Sequence, residues 1–165
     1  MTGMAVLTWV HVAISLVAIV AGLIVLAGMM RGELGRLTGL FLATTVATSV
    51  TGFFFPFNGI TPAFGFGVVS MILLALALFA LYGRKLAGGW RKTYVITAII
   101  ALYLNVFVLV VQAFLKVPSL NALAPNGNEP PFAITQGIVL ILFVIAGVKA
   151  FRRFRPMRSA GSALA

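Results

Sequence analysis

The chain has 165 residues, of which 62% are hydrophobic and 8% are charged, and it carries a formal net charge of +10. A soluble domain has about 25% charged residues, so the composition excludes a soluble protein and indicates an integral membrane protein with one domain. Cysteine and aspartate are absent, which excludes thiol catalysis and a Ser-His-Asp triad. With one histidine and two glutamates in different loops, the chain also cannot form a carboxylate pair or a transition-metal site of three or four ligands.

The first predicted transmembrane helix covers residues 4–30. It begins without a positively charged segment, so we interpret it as a retained span and not as a cleaved signal. Small and polar side chains share one stripe of this helix, which we expect to pack against other helices while aliphatic residues face lipid. The stripe consists of Thr8, His11, Ser15, Ala18 and Gly22.

The second and third predicted spans cover residues 37–55 and 62–82. The second is rich in threonine, whose hydroxyl in a membrane helix usually bonds back to a carbonyl one turn earlier. We therefore attribute these hydroxyls to helix packing and not to a pore. An uncharged aromatic turn follows, and Thr61 with Pro62 is a start signal for the third helix.

The fourth predicted span, residues 93–116, organises the rest of the bundle. It contains two amides, and an amide that faces hydrocarbon has no hydrogen-bond partner. At about 100° per residue these amides share one stripe with small and polar residues, which we expect to face other helices or a wet cavity. The stripe consists of Tyr94, Thr97, Ala101, Asn105, Val108, Gln112 and Lys116.

A loop rich in proline, asparagine and glycine leads to the fifth predicted span, residues 131–151, and the tail 156–165 is expected to be disordered.

With five spans, eleven of the twelve basic residues fall on one side of the membrane and only Lys116 on the other. The positive-inside rule then places the N-terminus outside and the C-terminus in the cytoplasm. The predicted fold is thus an all-α bundle of five transmembrane helices over residues 1–155.

Six polar residues form the predicted ligand site. Four of them should lie at one depth in the outer half of the membrane, and two charged residues bound the loop between the last two helices, where they could form an ion pair. The four are His11, Asn105, Gln112 and Gln136, and the two are Lys116 and Glu129. Amide and imidazole groups in apolar walls suit a small uncharged or lipid-like ligand, such as a quinone or a lipid headgroup. The predicted function is therefore an outward-facing polar pocket that binds or conducts such a ligand.

The same residues also allow a structural interpretation. Asn105 and Gln112 can bond across to a neighbouring helix, and Gln136 can be a packing or capping residue near the interface. His11 can bond to a threonine, a glutamine or a backbone carbonyl inside the bundle. The protein would then be a non-catalytic structural or accessory subunit of a homo-oligomer or of a larger membrane complex. The expected partners include membrane lipids and no nucleic acid, because the basic residues flank apolar spans.

Catalysis and proton transport are the less favoured functions. We predict no cofactor, although a quinone or a haem held by a single axial histidine stays open, and without one an enzyme would have no source of reactivity. Proton transport would depend on His11 alone, because no other side chain within the spans titrates near neutral pH.

Three segments carry a family resemblance: WVHVAISLVAIVAGLIVL near the N-terminus, TGFFFPF followed by ITPA, and the stretch from GGWRKTYV through the fourth span to NEPPF. These segments resemble small multi-pass inner-membrane proteins of bacteria whose function is unknown. The resemblance implies a location in the bacterial cytoplasmic membrane. It implies no activity and no functional residues.

Overall fold

The computed structural model describes residues 3–55 and 62–155, and this part of the chain contains helices and no strand. The helices are α1 (Gly3–Arg31), α2 (Thr38–Gly52), α3 (Pro62–Leu78), α4 (Trp90–Lys116), α5 (Pro118–Asn121) and α6 (Pro130–Arg153). Helix α3 continues into a π-helical turn, Phe79–Gly83, and α5 is a single turn in the connection after α4. The predicted tail at 156–165 and the helix-start signal at Thr61 lie outside the described residues.

Within residues 3–55 and 62–155, four helices are long and apolar enough to cross a membrane: α1, α3 with its π-helical turn, α4 and α6. Helix α2 is shorter than the predicted span 37–55, because it begins at Thr38 and ends at Gly52, where the chain enters a turn. Its 15 residues correspond to about 22 Å, against about 30 Å for a hydrocarbon core. The described part of the chain is therefore a membrane-type helical bundle with four full-length candidate spans.

Helix α4 is the centre of the bundle, as its polar stripe predicted, since it contacts α1, α2, α3 and α6. Gly22 on α1 allows a close approach to both α4 and α2. A Cβ added at Gly22 would lie 2.5 Å from Leu102 Cδ1 on α4 and 2.9 Å from the Phe41 ring on α2. Three helices thus meet at a residue that has no side chain.

The densest packing lies in the half of the bundle that carries most of the basic residues, which we call the basic half. Tyr94 and Phe154 are fully buried there, and their rings are 5.8 Å apart. The Arg91 guanidinium donates a hydrogen bond to the Phe154 carbonyl, which ties the C-terminal end of α6 to the start of α4. The opposite half is looser: the buried residues of α1 begin only at Ala18.

The predicted stripe of α1 is confirmed as its inward side. Ala18 and Gly22 are buried and His11 is half-buried, whereas Trp9 and Val20 beside them are 69% and 59% exposed. Exposed aliphatic side chains of this kind are what a lipid-facing surface requires.

The stripe of α4 is only partly inward. Tyr94 and Ala101 are fully buried and Asn105 is half-buried, but Gln112 and Lys116 are exposed. In the last turns of α4 a different side is covered: Phe114 is buried against Phe132, and the stripe that ends in Gln112 and Lys116 is left open.

Candidate functional site

The single histidine is held by a threonine of the neighbouring helix. His11 Nδ1 lies 2.8 Å from Thr51 Oγ1. The Thr51 hydroxyl also lies 2.7 Å from the Ala47 carbonyl and 3.1 Å from the Thr48 carbonyl, either of which can accept its one hydrogen. The direction of the His11–Thr51 bond depends on the imidazole tautomer: with Nδ1 protonated, His11 donates to Thr51 and Nε2 keeps a lone pair. One of the structural interpretations of His11, a bond to a threonine, is thus realised, and in this tautomer Nε2 stays available as an acceptor.

Aromatic and backbone neighbours fix the orientation of this imidazole. The Phe55 ring stands edge-to-face against it at 5.2 Å between centroids. Gly52 lies beside the ring, where an added Cβ would be 3.6 Å from Cε1. The imidazole is therefore clamped on one edge by Thr51 and on one side by Phe55.

Gln136 connects α6 to α4 through half of its amide. The residue is 8% exposed, and Nε2 donates to the Phe107 carbonyl at 3.1 Å. Its Oε1 is buried and has no hydrogen-bond partner. Gln136 thus bonds across to α4, which the sequence interpretation had expected of Asn105 and Gln112, and the carbonyl end of its amide is left to accept another bond.

Two further buried polar atoms lack partners in this half of the bundle: Asn105 Nδ2 and Thr48 Oγ1. Sequence reasoning missed Thr48 because it treated all the threonines of α2 as bonded to their own helix. Thr44, Thr45 and Thr51 do bond back in this way, at 2.7 Å. Thr48 does not, and no feature of its sequence context distinguishes it from the other three.

The contacts between helices fix the relative depth of these groups. Helix α1 runs antiparallel to α4 with Gly22 against Leu102, so His11 is level with about residue 113, next to Gln112. Helix α6 runs antiparallel to α4 with Gly147 against Ile99, so its polar groups can be placed on the same scale.

On that scale, Gln136 lies level with about residue 110 of α4. Thr48 lies one turn below Thr51, the partner of His11, which puts it at about the same level. Asn105 is about 7 Å deeper, towards the basic half. Four helices therefore place His11, Thr48, Gln136 and Asn105 within a zone about 12 Å deep, which we call the polar zone.

The two charged members of the predicted site lie outside this zone and do not form the expected ion pair. The ion pair found in the described residues joins Arg31 and Glu33 at 3.7 Å. Glu129 instead accepts bonds from Asn126 N, Asn126 Nδ2 and Asn128 N at 2.8–3.1 Å. The Glu129 carboxylate is thus hydrogen-bonded within its own turn and does not pair with Lys116.

The same turn perturbs the ionisation of Glu129. Desolvation opposes ionisation, but the hydrogen bonds from Asn126 and Asn128 outweigh it and hold the pKa of the carboxyl below its usual value. Glu129 therefore stays ionised at physiological pH and stabilises the loop before α6.

The polar zone offers hydrogen bonding and little other chemistry. Residues 3–55 and 62–155 contain no group of three histidine, cysteine or acidic side chains that could hold a metal ion. The available groups are an amide donor at Asn105, a carbonyl acceptor at Gln136, a hydroxyl at Thr48 and an imidazole nitrogen at His11. Such a set can orient a polar group by hydrogen bonding.

No protein-family model, no curated protein and no solved structure matches this chain. The resemblance to small bacterial inner-membrane proteins therefore stays a prediction.

Proposed function

We propose that this protein is a non-catalytic binding protein of the bacterial cytoplasmic membrane, whose polar zone faces outward and holds a small uncharged or lipid-like ligand. The observation that carries the proposal is the group of unpartnered buried atoms, Thr48 Oγ1, Asn105 Nδ2 and Gln136 Oε1. A buried polar group without a partner costs about 1–3 kcal/mol. A ligand that bonds to them removes this cost, which provides part of its binding free energy.

The chemistry of the zone defines the ligand class. Asn105 Nδ2 can donate to a carbonyl or ether oxygen, and Gln136 Oε1 can accept from a hydroxyl. Thr48 can do either. No charged side chain is among these groups, so a charged ligand would be desolvated without compensation. A quinone, a quinol or the glycerol part of a lipid headgroup satisfies these requirements.

A matched pair of threonine variants tests the proposal. Thr48→Val and Thr44→Val are the same isosteric change on the same helix, but only Thr48 lacks a partner. Mass spectrometry of small molecules that co-purify should find a compound with wild-type protein and Thr44→Val, and much less of it with Thr48→Val and Asn105→Leu. Equal amounts in all four preparations would refute the site.

Stability measurements on ligand-free protein provide a second criterion. If Asn105 is kept for binding, then Asn105→Leu should stabilise the empty protein by about 1–3 kcal/mol, because it removes an unsatisfied amide. A loss of stability would assign the amide a structural role.

We further propose that the short helix α2 crosses the membrane together with the four full-length candidate spans, which gives five crossings. The distribution of charge supports this arrangement, because it collects the basic loops on one side. The absence of cysteine makes single-cysteine labelling clean. Leu34→Cys and Lys85→Cys should react from the same side, and reaction from opposite sides would mean that α2 does not cross.

The accessory-subunit interpretation is the second candidate, and the exposure of α6 favours it. In the most apolar 18-residue stretch of α6, 11% of the residues are buried, whereas 44% are buried in the corresponding stretch of α1. A helix with so little intramolecular contact can pack against another subunit. Native mass spectrometry in a mild detergent separates the two functions, since a stable monomer contradicts the homo-oligomer and a defined oligomer supports it.

A further inference from the structure

An apolar groove of about 540 Å³ runs along the outside of the bundle between α4 and α6. Its volume falls within the range of about 300–1,000 Å³ that is usual for small-molecule sites. The walls are aliphatic side chains that are open to the surroundings, such as Ile96 at 46%, Val144 at 55% and Val148 at 47% exposure. The groove lies in the basic half, away from the polar zone.

The groove has the length of one lipid leaflet. It begins beside Tyr103 and Leu140, near the middle of the bundle, and ends at Phe151 and Arg152. The rise from Leu140 to Arg152 is about 18 Å along α6, and half of a hydrocarbon core is about 15 Å. A chain that lay in the groove would reach from the bilayer midplane to the headgroup region.

Basic side chains from both helices flank the open end of the groove. Arg152 lines the groove itself, and Lys92 Nζ lies 5.5 Å from the centroid of the Phe151 ring. Lys149 and Arg153 line a smaller depression of about 290 Å³ that adjoins Arg152. Among the described residues, the one carboxylate at this end is Glu33, which pairs with Arg31. The mouth is therefore strongly cationic and has no carboxylate of its own.

We propose that this groove is a binding site for an anionic glycerophospholipid, with one acyl chain along α4 and α6 and the phosphate between Lys92 and Arg152. The charge decides between a lipid and a protein partner. A transmembrane helix of another protein would cover the aliphatic walls but would leave the cationic mouth without a counter-charge, whereas an anionic lipid matches both parts.

Gly147 keeps the groove open. It lies on the floor of the groove, and a Cβ added there would be 3.8 Å from Ile99 Cγ2, in ordinary contact. A small substitution is thus tolerated, but a leucine side chain would fill the space between the helices. Gly137 on the same helix has nothing within 4 Å of an added Cβ and does not line the groove, so Gly137→Leu is the matched control.

The test is a lipid titration of the intact protein in a non-ionic detergent, followed by native mass spectrometry. Dioleoyl phosphatidylglycerol is the anionic probe, dioleoyl phosphatidylcholine carries the same chains without net charge, and inorganic phosphate presents the headgroup charge alone. We expect one saturable phosphatidylglycerol site that phosphatidylcholine and phosphate do not fill at the same concentrations. Gly147→Leu should abolish this site and Gly137→Leu should keep it.

The charge at the mouth is tested by a second matched pair. Arg152→Gln should weaken phosphatidylglycerol binding about fivefold, whereas Arg155→Gln removes an equal charge outside the groove and should change it little. Equal binding of the two lipids to wild-type protein, retention of the site in Gly147→Leu, or competition by phosphate alone would each overturn the proposal. Circular dichroism verifies folding, and Val144→Trp on the groove wall replaces Gly147→Leu if that variant does not fold.

Discussion

Gly22→Ala tests the central packing of the bundle, because the structure leaves no room for a methyl group at this position. The new Cβ would lie 2.5 Å from Leu102 Cδ1 and 2.9 Å from two atoms of the Phe41 ring. Both neighbours are 1% exposed, so neither side chain can swing out of the core. The methyl group must therefore separate α1 from α4 or force a side chain out of its rotamer.

The magnitude follows from two opposing effects. Overpacking of a well-packed core costs about 1–3 kcal/mol. Replacing glycine by alanine within a helix stabilises it by about 1 kcal/mol through propensity alone. Gly137→Ala gives the second effect without the first, because nothing lies within 4 Å of its added Cβ. The difference between the two variants should therefore be about 1–3 kcal/mol, with Gly22→Ala the less stable.

The assay is reversible unfolding in mixed micelles, with the free energy of unfolding measured for both variants and for Leu102→Ala. A double variant of Gly22→Ala with Leu102→Ala should lose less stability than the sum of the single changes, because the closest contact at 2.5 Å is gone. Equal stability of Gly22→Ala and Gly137→Ala, or additivity in the double variant, would show that α1 and α4 do not pack as described.

Three further predictions concern the ends of the bundle. The pKa of Glu129 is lowered from its ordinary value of 4.5, so its contribution to loop stability is complete above pH 4.5 and is lost as the pH falls through the lowered pKa. Proteolysis of segment 117–129 should therefore be faster at pH 3 than at pH 6, and Glu129→Gln should abolish this difference. Gly32→Ala should lower the free energy of unfolding by about 1–2 kcal/mol, because the residue has φ of +92°. Gly89 has φ of −65°, so Gly89→Ala should leave the free energy of unfolding unchanged in the same assay. Arg91→Met removes the hydrogen bond to the Phe154 carbonyl and should therefore lower the free energy of unfolding by about 1.5–3 kcal/mol. Proteolysis of the C-terminal end, which should be faster in this variant, is the measurement.

The arrangement around α4 was predictable in part, because an amide that faces hydrocarbon has no hydrogen-bond partner and is expected to face other helices. Asn105 therefore indicated the inward side of its helix, and the buried Tyr94 and Ala101 share that side. What periodicity does not contain is the distance over which neighbouring helices stay in contact. Gln112 continues the same stripe, but it lies beyond the tightly packed half and is exposed.

Helix α2 shows a second limit of sequence reasoning. The apolar character continues from Leu37 through the aromatic residues to Phe55, so hydropathy predicts a span of that length. The helix nevertheless ends at Gly52, because the backbone amides of Phe53 and Phe54 bond to carbonyls only three residues earlier and the chain turns. Hydropathy reports the preference for lipid, whereas the end of a helix depends on local backbone bonding.

The site could be predicted in part for a related reason. His11 and Gln136 were identifiable because they are polar residues within apolar spans, which are rare and costly. Thr48 was not, since its hydroxyl resembles that of Thr44 in every local respect and differs only in having no partner in the folded bundle. The bond of Glu129 to Asn126 was likewise hidden, because it depends on a turn and not on charge.

The contrast between the two halves of the bundle explains how a chain of this size can keep unsatisfied polar groups. In the basic half, Tyr94, Leu102 and Phe154 are almost fully buried and Arg91 ties α6 to α4, so cohesion between the helices is concentrated there. The opposite half can then hold Thr48, with no partner for its hydroxyl, at a cost of about 1–3 kcal/mol. The Tyr94 hydroxyl in the basic half also has no partner, so an unsatisfied group alone does not establish a binding site. If Thr48 is kept for binding, Thr48→Val should raise the stability of the empty protein and lower ligand binding, so that the two effects are opposite in sign.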